Sequence, residues 1–153
     1  MKLLLLLCSA ASATLCFALM AQTPEPKTSK PSTAAKLPST IVDWEKMVAI
    51  TTTNGARRAV FDGPTATLDR LHCHITTLNA GQNSGAPSRH LHEEVIIIKE
   101  GSVEATVDGR VQTVGPGSVI FFAANAVTRL RNAGNSPATY FVVHFYTPLT
   151  PKD

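Results

Sequence analysis

Charge is scarce in this sequence. Charged residues are 16% of its 153 residues and hydrophobic residues are 44%, which excludes a mainly disordered chain. The formal charge of +3 is too small to indicate nucleic acid or an anionic membrane as a partner. The length is enough for one domain with a single core.

The first residues have the pattern of an export signal. One basic residue, Lys2, precedes an apolar run over residues 3–21 that ends in small residues. This predicts a signal peptide over residues 1–21, cleaved after Ala18 or Ala21, and therefore a secreted or periplasmic protein. An uncleaved membrane anchor is the alternative. Polar residues within the run favour cleavage, after which no stable membrane insertion is expected.

Cysteine is also scarce once the signal is removed. Two of the three cysteines lie inside the predicted signal, so the mature chain keeps Cys73 and has no intramolecular disulfide. We expect Cys73 to be a small buried apolar residue rather than a nucleophile. Residues 22–39 are rich in Pro, Ser, Thr and Lys and predict a flexible linker, so the folded domain is expected over residues 40–150.

Long apolar runs with helical spacing are missing from the rest of the chain, and short runs with strand patterning replace them. LHCHITTL alternates two kinds of side chain over residues 71–78, VIIIK (95–99) suits a strand buried on both sides, and Asp108-Gly109 suits a tight hairpin turn. Residues 42–50 fit a helical turn or an edge strand equally well. Eight to ten short strands predict an antiparallel sandwich or barrel, with the phenylalanines in its core.

One segment, SRHLHEEVIIIKEG (88–101), carries the candidate chemistry. Strand alternation puts His90, His92 and Glu94 on one face, and imidazole and carboxylate are ligands for Zn, Mn, Fe or Ni. A solvent-facing polar edge explains the same residues equally well.

Two motifs give the chain a resemblance to a known family. Pro87 is followed by SRHLHEE, and six residues separate Glu94 from Gly101; further on, GPGSVIFFAANAVTRLRN ends at Asn132. Residues 71–146 resemble the small single-domain cupins of the type-2 family. The resemblance implies a double-stranded antiparallel β-barrel of the cupin or jelly-roll type, with a site in the barrel mouth that binds a small molecule.

The family's metal ligands are only partly present. In the register of that resemblance, the four ligand positions of a cupin, three histidines and one glutamate, fall on Ser88, His90, Glu94 and Thr128. A neutral hydroxyl is a poor ligand for these metals, so the Ser88 and Thr128 positions are vacated. His92, His74 or His144 are possible substitute ligands beside His90 and Glu94.

Two functions follow from these ligands. The one the sequence favours is a small-molecule-binding barrel whose metal site is absent or weakened, with His90 and Glu94 kept as a hydrogen-bonded pair. The alternative is a metal-dependent isomerase, dioxygenase or decarboxylase that uses a rebuilt site for Mn, Fe, Zn or Ni. A non-catalytic interaction subunit stays open, as does a homodimer, since small cupins form dimers by strand exchange. A surface role is favoured for Arg129 and Arg131, and the alternative is that one of them reaches the barrel mouth and binds an anionic ligand. No catalytic residue is assigned.

Overall fold

The computed structural model describes residues 34–152 of the chain. The predicted signal (1–21) and the predicted linker up to residue 33 lie outside the described residues, and both stay predictions. Within residues 34–152, no helix is long and apolar enough to cross a membrane.

The described part of the chain is built almost entirely from strands. A single 3-10 turn, Trp44–Lys46, precedes ten strands, which confirms the prediction of eight to ten. In chain order the strands are β1 (Ile50–Thr52), β2 (Gly55–Gly63), β3 (Arg70–Leu78), β4 (Ser88–Arg89), β5 (Glu93–Glu100), β6 (Val103–Val107), β7 (Arg110–Val114), β8 (Val119–Phe122), β9 (Val127–Asn132) and β10 (Ala138–Tyr146). The segment left open, residues 42–50, holds the 3-10 turn and the first residue of β1.

Two antiparallel sheets form the predicted barrel. The larger has the strand order β1-β2-β3-β10-β5-β8 and the smaller β4-β9-β6-β7. Apolar side chains from both sheets belong to one buried cluster, so the sheets pack face to face. Its members are Leu78, Ile96, Ile98, Val103, Ala105, Phe122, Leu130, Ala138, Tyr140 and Val142.

Local turn chemistry matches the sequence reading. Asp108 and Gly109 both have positive φ, 47° and 81°, and they join β6 to β7 in the predicted hairpin. Asn132, the last residue of the second motif, is fully buried and ties three chain segments together. Its amide donates to the carbonyls of Leu78 and Ser136, and its oxygen accepts from the backbone N–H of Gly134.

The outer face of the larger sheet corrects two expectations. VIIIK is not buried on both sides, because Ile96 and Ile98 point into the core while Ile97 is 39% exposed. Phe122 is in the core as expected, but its neighbour Phe121 is 60% exposed. Ile97 and Phe121 are exposed because side chains alternate along an antiparallel strand, and only one face of this sheet packs against the core.

Strand β3 is buried on both of its faces. His74 and Leu78 point to the barrel interior, while Cys73 and Ile75 point outward and are still only 5% and 0% exposed. Trp44 lies over this outer face, held between the cations of Arg58 on β2 and Lys99 on β5. Burial raises the pKa of the Cys73 thiol to about 11, so it stays protonated, as expected of a structural residue.

Strand register brings distant polar residues into one transverse row. Glu94 on β5 is the partner of His144 on β10, His144 is the partner of His72 on β3, and His72 is the partner of Asp62 on β2. Side chains of such a row share one face and stand about 5 Å apart. The row therefore places the chemistry of four strands at one end of the barrel interior.

Candidate metal centre

The barrel holds a cavity of about 440 Å³ that is open to solvent, and this size suits a small molecule. Polar groups from both sheets line it, together with core residues such as Phe122 and Tyr140. The polar lining includes Arg57, His74, Thr76, Ser88, His90, Glu94, Thr128, Arg129 and His144. Arg129 is half-buried and borders the cavity, but its strand phase is opposite to that of the inward-facing Thr128 and Leu130.

Three imidazole nitrogens surround one oxygen of Glu94. Glu94, His90 and His144 line this cavity, and His92 lines a smaller neighbouring pocket. Glu94 Oε1 lies 3.6 Å from His90 Nε2, 3.4 Å from His92 Nε2 and 3.6 Å from His144 Nδ1. His92 Nε2 and His144 Nδ1 are 2.5 Å apart, and the Tyr146 hydroxyl is 3.4 Å from His92 Nε2. We call His90, His92, Glu94 and His144 the first site.

The Glu94 spacings are close to those in the first coordination shell of a divalent ion, whereas the 2.5 Å between His92 Nε2 and His144 Nδ1 is a hydrogen-bond distance that must lengthen if both nitrogens bind one ion. Bonds of about 2.1 Å place neighbouring donor atoms about 3.0 Å apart in an octahedron and about 3.4 Å apart in a tetrahedron. Two of the Glu94 distances, at 3.6 Å, are too long for hydrogen bonds. His90, His92 and Glu94 meet the geometric requirements of a metal-binding group, so the residues present fit a metal.

The part of the sequence that carries the first site matches a known protein family. Residues 74–144, which include every member of the first site, match the family described as a cupin domain. This stretch of the chain is a cupin domain. Among curated proteins, none matches the sequence.

Three solved structures illustrate what this cupin domain is similar to. An RmlC-like cupin from Shewanella frigidimarina is 15% identical with a TM-score of 0.58, covering 73% of this chain and 95% of that chain. The polyketide cyclase RemF from Streptomyces resistomycificus is 21% identical with a TM-score of 0.59, covering 72% and 82%. A sugar phosphate isomerase from a cupin superfamily, from Silicibacter pomeroyi, is 18% identical with a TM-score of 0.57, covering 71% and 77%. At these identities the likeness concerns the fold alone.

The two vacated positions of the cupin lie side by side. Ser88 on β4 is the direct partner of Thr128 on β9, and both line the cavity. The Ser88 hydroxyl lies 3.3 Å from His90 Nε2, so the vacated positions adjoin the first site. With His92 and His144 in place of the two lost histidines, the cupin again has three imidazoles and one carboxylate.

Burial sets the protonation of the site. It raises the pKa of the Glu94 carboxyl, and the neighbouring His90 opposes this shift. Burial, together with the neighbouring histidines, lowers the pKa of His144 to about 3, and burial with the charge of Arg57 lowers the pKa of His74 to about 4. At neutral pH both imidazoles are therefore uncharged and offer a lone pair.

A second polar group lies next to the first on strands β2 and β3. His72 Nε2 is 3.1 Å from His74 Nδ1 and 2.9 Å from the Arg57 guanidinium, and His72 Nδ1 is 3.2 Å from Asp62 Oδ2. Arg70 holds the same carboxylate through two hydrogen bonds of 2.6 and 2.7 Å. This contact is the main reason that the pKa of Asp62 is lowered to about 2.

Replacing Asp62 by asparagine is expected to destabilise the metal-free cupin by about 1 kcal/mol at pH 7, a value reduced because the side chain is 46% exposed. A carboxyl whose pKa is lower in the folded state stabilises the fold at pH values above its unfolded pKa. This stabilisation is lost as the pH falls through the folded-state pKa. The difference between Asp62→Asn and the unchanged protein should therefore shrink between about pH 4 and pH 2. Denaturant unfolding in a chelator measures it. Asp69→Asn is the matched control, because Asp69 meets Lys152 at 3.7 Å on the surface and should show little change.

Sequence reasoning named the members of the first site but missed their surroundings. Arg57, Asp62 and Arg70 lie in no motif that indicates a site. The alternation of His72 with His74 was visible in the sequence, and it indicated a shared face. Nothing in the sequence placed Asp62 beside them, since that contact depends on the register of β2 against β3.

Proposed function

We propose that this protein is a divalent-metal-binding cupin that holds a small anionic molecule in its barrel beside the ion. His90, His92, Glu94 and His144 would hold the ion. The donors favour a first-row metal such as Mn, Fe, Ni or Zn, since imidazole and carboxylate are ligands of these ions. This is the rebuilt-site alternative of the sequence reading.

One observation carries the proposal: three imidazole nitrogens converge on Glu94 Oε1 at 3.4 to 3.6 Å. A metal-free barrel that keeps His90 and Glu94 as a hydrogen-bonded pair would bring these two atoms to about 2.7–3.2 Å. The longer separation, repeated around one oxygen, is the spacing of ligands around a shared ion. The geometry therefore supports the rebuilt site over the metal-free barrel.

The cavity lining supports an anionic ligand. Arg57 and Arg129 both border the cavity and bring positive charge to it. Thr128 and Ser88 add hydroxyl groups on the same side of the cavity. The Tyr140 phenol stays protonated because burial raises its pKa, so its O–H can donate a hydrogen bond.

A bound divalent ion would supply Lewis acidity to a carboxylate or carbonyl oxygen of the ligand. The chain's own part is to position the ligand and to limit the access of water. Core residues such as Phe122 and Leu130 form the apolar part of the cavity wall, and the guanidinium of Arg57, which also borders the cavity, would attract ligand charge. Solved structures of the same fold described as a polyketide cyclase and a sugar phosphate isomerase support an enzymatic role for the barrel.

Metal analysis of the purified full-length protein tests the proposal. After incubation with Mn, Fe, Ni or Zn and removal of free ions, at least one ion per chain is expected. An ion present at about a hundred times its Kd should stabilise the fold by about 2.7 kcal/mol, which raises the Tm by roughly 10 °C. Less than about a tenth of an equivalent with every metal would refute the proposal.

We further propose that the protein is exported and acts in the periplasm or outside the cell. The support is the charged start, apolar run and small residues of positions 1–21. Mass spectrometry of the mature protein tests this, and an N-terminus after Ala18 or Ala21 is expected. Recovery of the intact chain from the cytoplasm would contradict it.

A homodimer is proposed from the exposed edge of the larger sheet. β8 is the terminal strand of that sheet, and its outward residues Val119 and Phe121 are 65% and 60% exposed beside Ile97 at 39%. An apolar edge strand of this kind is a surface for pairing with a second chain.

Phe121→Glu is therefore expected to convert a dimer into a monomer, because it puts a charge into the apolar contact. Sedimentation velocity measures the change. Val111→Glu is the matched control, since Val111 is equally exposed, at 60%, on the edge strand of the other sheet. A monomeric unchanged protein, or a dimer that survives Phe121→Glu, would contradict the proposal.

A further inference from the structure

All five histidines of the chain gather at one end of the barrel, more than one metal ion needs. Beyond the first site, one ligand atom from each of His72, His74 and His144 lie within 4.8 Å of one another. We propose that these three residues bind a second divalent ion, so that the His144 imidazole lies between two ions. We call them the second site. The proposal shares His144 with the proposed function but needs its own ligands on β3.

The β3 histidines are arranged as metal ligands usually are. His72 Nδ1 is 3.2 Å from the carboxylate of Asp62, in electrostatic contact although off the line of a hydrogen bond. A carboxylate beside one ring nitrogen orients the imidazole and directs the other nitrogen to the metal. That other nitrogen, His72 Nε2, is 3.1 Å from His74 Nδ1, close to the spacing of adjacent ligands on one ion.

His144 is the residue that can join the two sites. Its Nδ1 faces the first site, at 3.6 Å from Glu94 Oε1 and 2.5 Å from His92 Nε2. Its Nε2 is buried and has no hydrogen-bond partner among residues 34–152. A buried nitrogen without a partner is costly, and a metal ion on the side of His72 and His74 would satisfy it.

Binding at both nitrogens has a defined proton balance. A neutral imidazole carries one N–H and one lone pair. When both nitrogens bind an ion, the N–H bond breaks, its electron pair goes to the second ion, and the proton passes to solvent. Binding of the second ion therefore releases one proton from His144, and no oxidant or reductant takes part.

Arg57 competes with the second ion. Its guanidinium lies 2.9 Å from His72 Nε2, and because arginine only donates, it occupies the lone pair that the ion needs. Arg57 is exposed, so it can move away when an ion binds. Arg57→Gln should therefore tighten the second ion about tenfold and leave the first unchanged, since it removes one charged hydrogen bond. An unchanged or weaker second ion in this variant would contradict the proposal.

The number of ions per chain is the main test. The full-length protein is dialysed against Zn²⁺ and analysed for bound metal. Two ions per chain are expected for the unchanged protein and one for His72→Ala and His74→Ala. Thr76→Ala is the matched control, because Thr76 shares the face of β3 with both histidines, and it should keep two ions. A single ion in the unchanged protein that is kept in His74→Ala, or two ions in both histidine variants, would overturn the proposal.

The same metal analysis, with Glu94→Gln added, distinguishes the failure of this proposal from the failure of the proposed function. A single ion that is lost in Glu94→Gln and kept in His74→Ala supports the first site and overturns the second. A single ion that is kept in Glu94→Gln and lost in His74→Ala does the reverse.

Loading with Cu²⁺ gives a readout that does not depend on counting ions. Two copper ions that share an imidazolate couple magnetically, so the electron paramagnetic resonance signal per copper should be lower in the unchanged protein than in His74→Ala. Equal signals per copper would overturn the shared His144.

Discussion

Replacing Glu94 by glutamine is expected to lower the affinity of the first site for a divalent ion at least about a hundredfold, or about 2.7 kcal/mol. Losing a residue that only supports a ligand costs 10–100-fold, and Glu94 is itself the ligand around which His90, His92 and His144 gather. Glutamine keeps the size but removes the only negative charge among these four donors. Isothermal titration with Zn²⁺ or Mn²⁺ measures the loss.

Stability measurements show whether Glu94→Gln acts on the metal or on the fold. Glu94 is 6% exposed and burial raises the pKa of its carboxyl, so the metal-free protein holds a carboxylate that its surroundings disfavour. In a chelator at pH 8 the variant should melt at the same temperature as the unchanged protein or higher. Its metal-induced rise in Tm should disappear. Glu93 is the adjacent carboxylate and has the opposite strand phase, so the control variant Glu93→Gln should keep the metal-induced rise in Tm. If this rise disappears in both variants, the result would contradict a ligand role specific to Glu94.

Placing histidines at Ser88 and Thr128, the ligand positions of other cupins, is expected to restore metal binding to a variant that has lost His92 and His144. The double change His92→Asn and His144→Asn removes two of the four donors and should abolish detectable metal binding. Adding Ser88→His and Thr128→His should restore it to within about tenfold, because three imidazoles and Glu94 are again present. Metal affinity measured for both variants tests this.

The structure provides room and proximity for this rescue. Ser88 and Thr128 are direct partners on β4 and β9, and Ser88 already lies 3.3 Å from His90. The cavity of about 440 Å³ can take the two added rings. Ser88→Asn with Thr128→Asn in the same background is the control and should not restore binding. If the histidines also fail, the backbone of β4 and β9 has moved away from the geometry that family ligands require.

The fold was largely predictable because its signals are local. Alternation in LHCHITTL, the Asp108-Gly109 turn and the two motifs each report on a few neighbouring residues, and the strands lie where these patterns predicted. Expectations about burial were weaker. Ile97 and Phe121 are exposed because burial depends on which face of the sheet is covered. The apolar character of a residue does not show on which face it lies.

By itself, the sequence determined the β-barrel class, the ligand types available and the loss of two family histidines at Ser88 and Thr128. The tertiary structure decided which histidines stand near Glu94. Residues far apart in the chain meet there because β10 pairs with β5 on one side and with β3 on the other, which aligns Glu94, His144 and His72 in one row. Register between strands is set by packing over the whole sheet, and no short stretch of sequence encodes it.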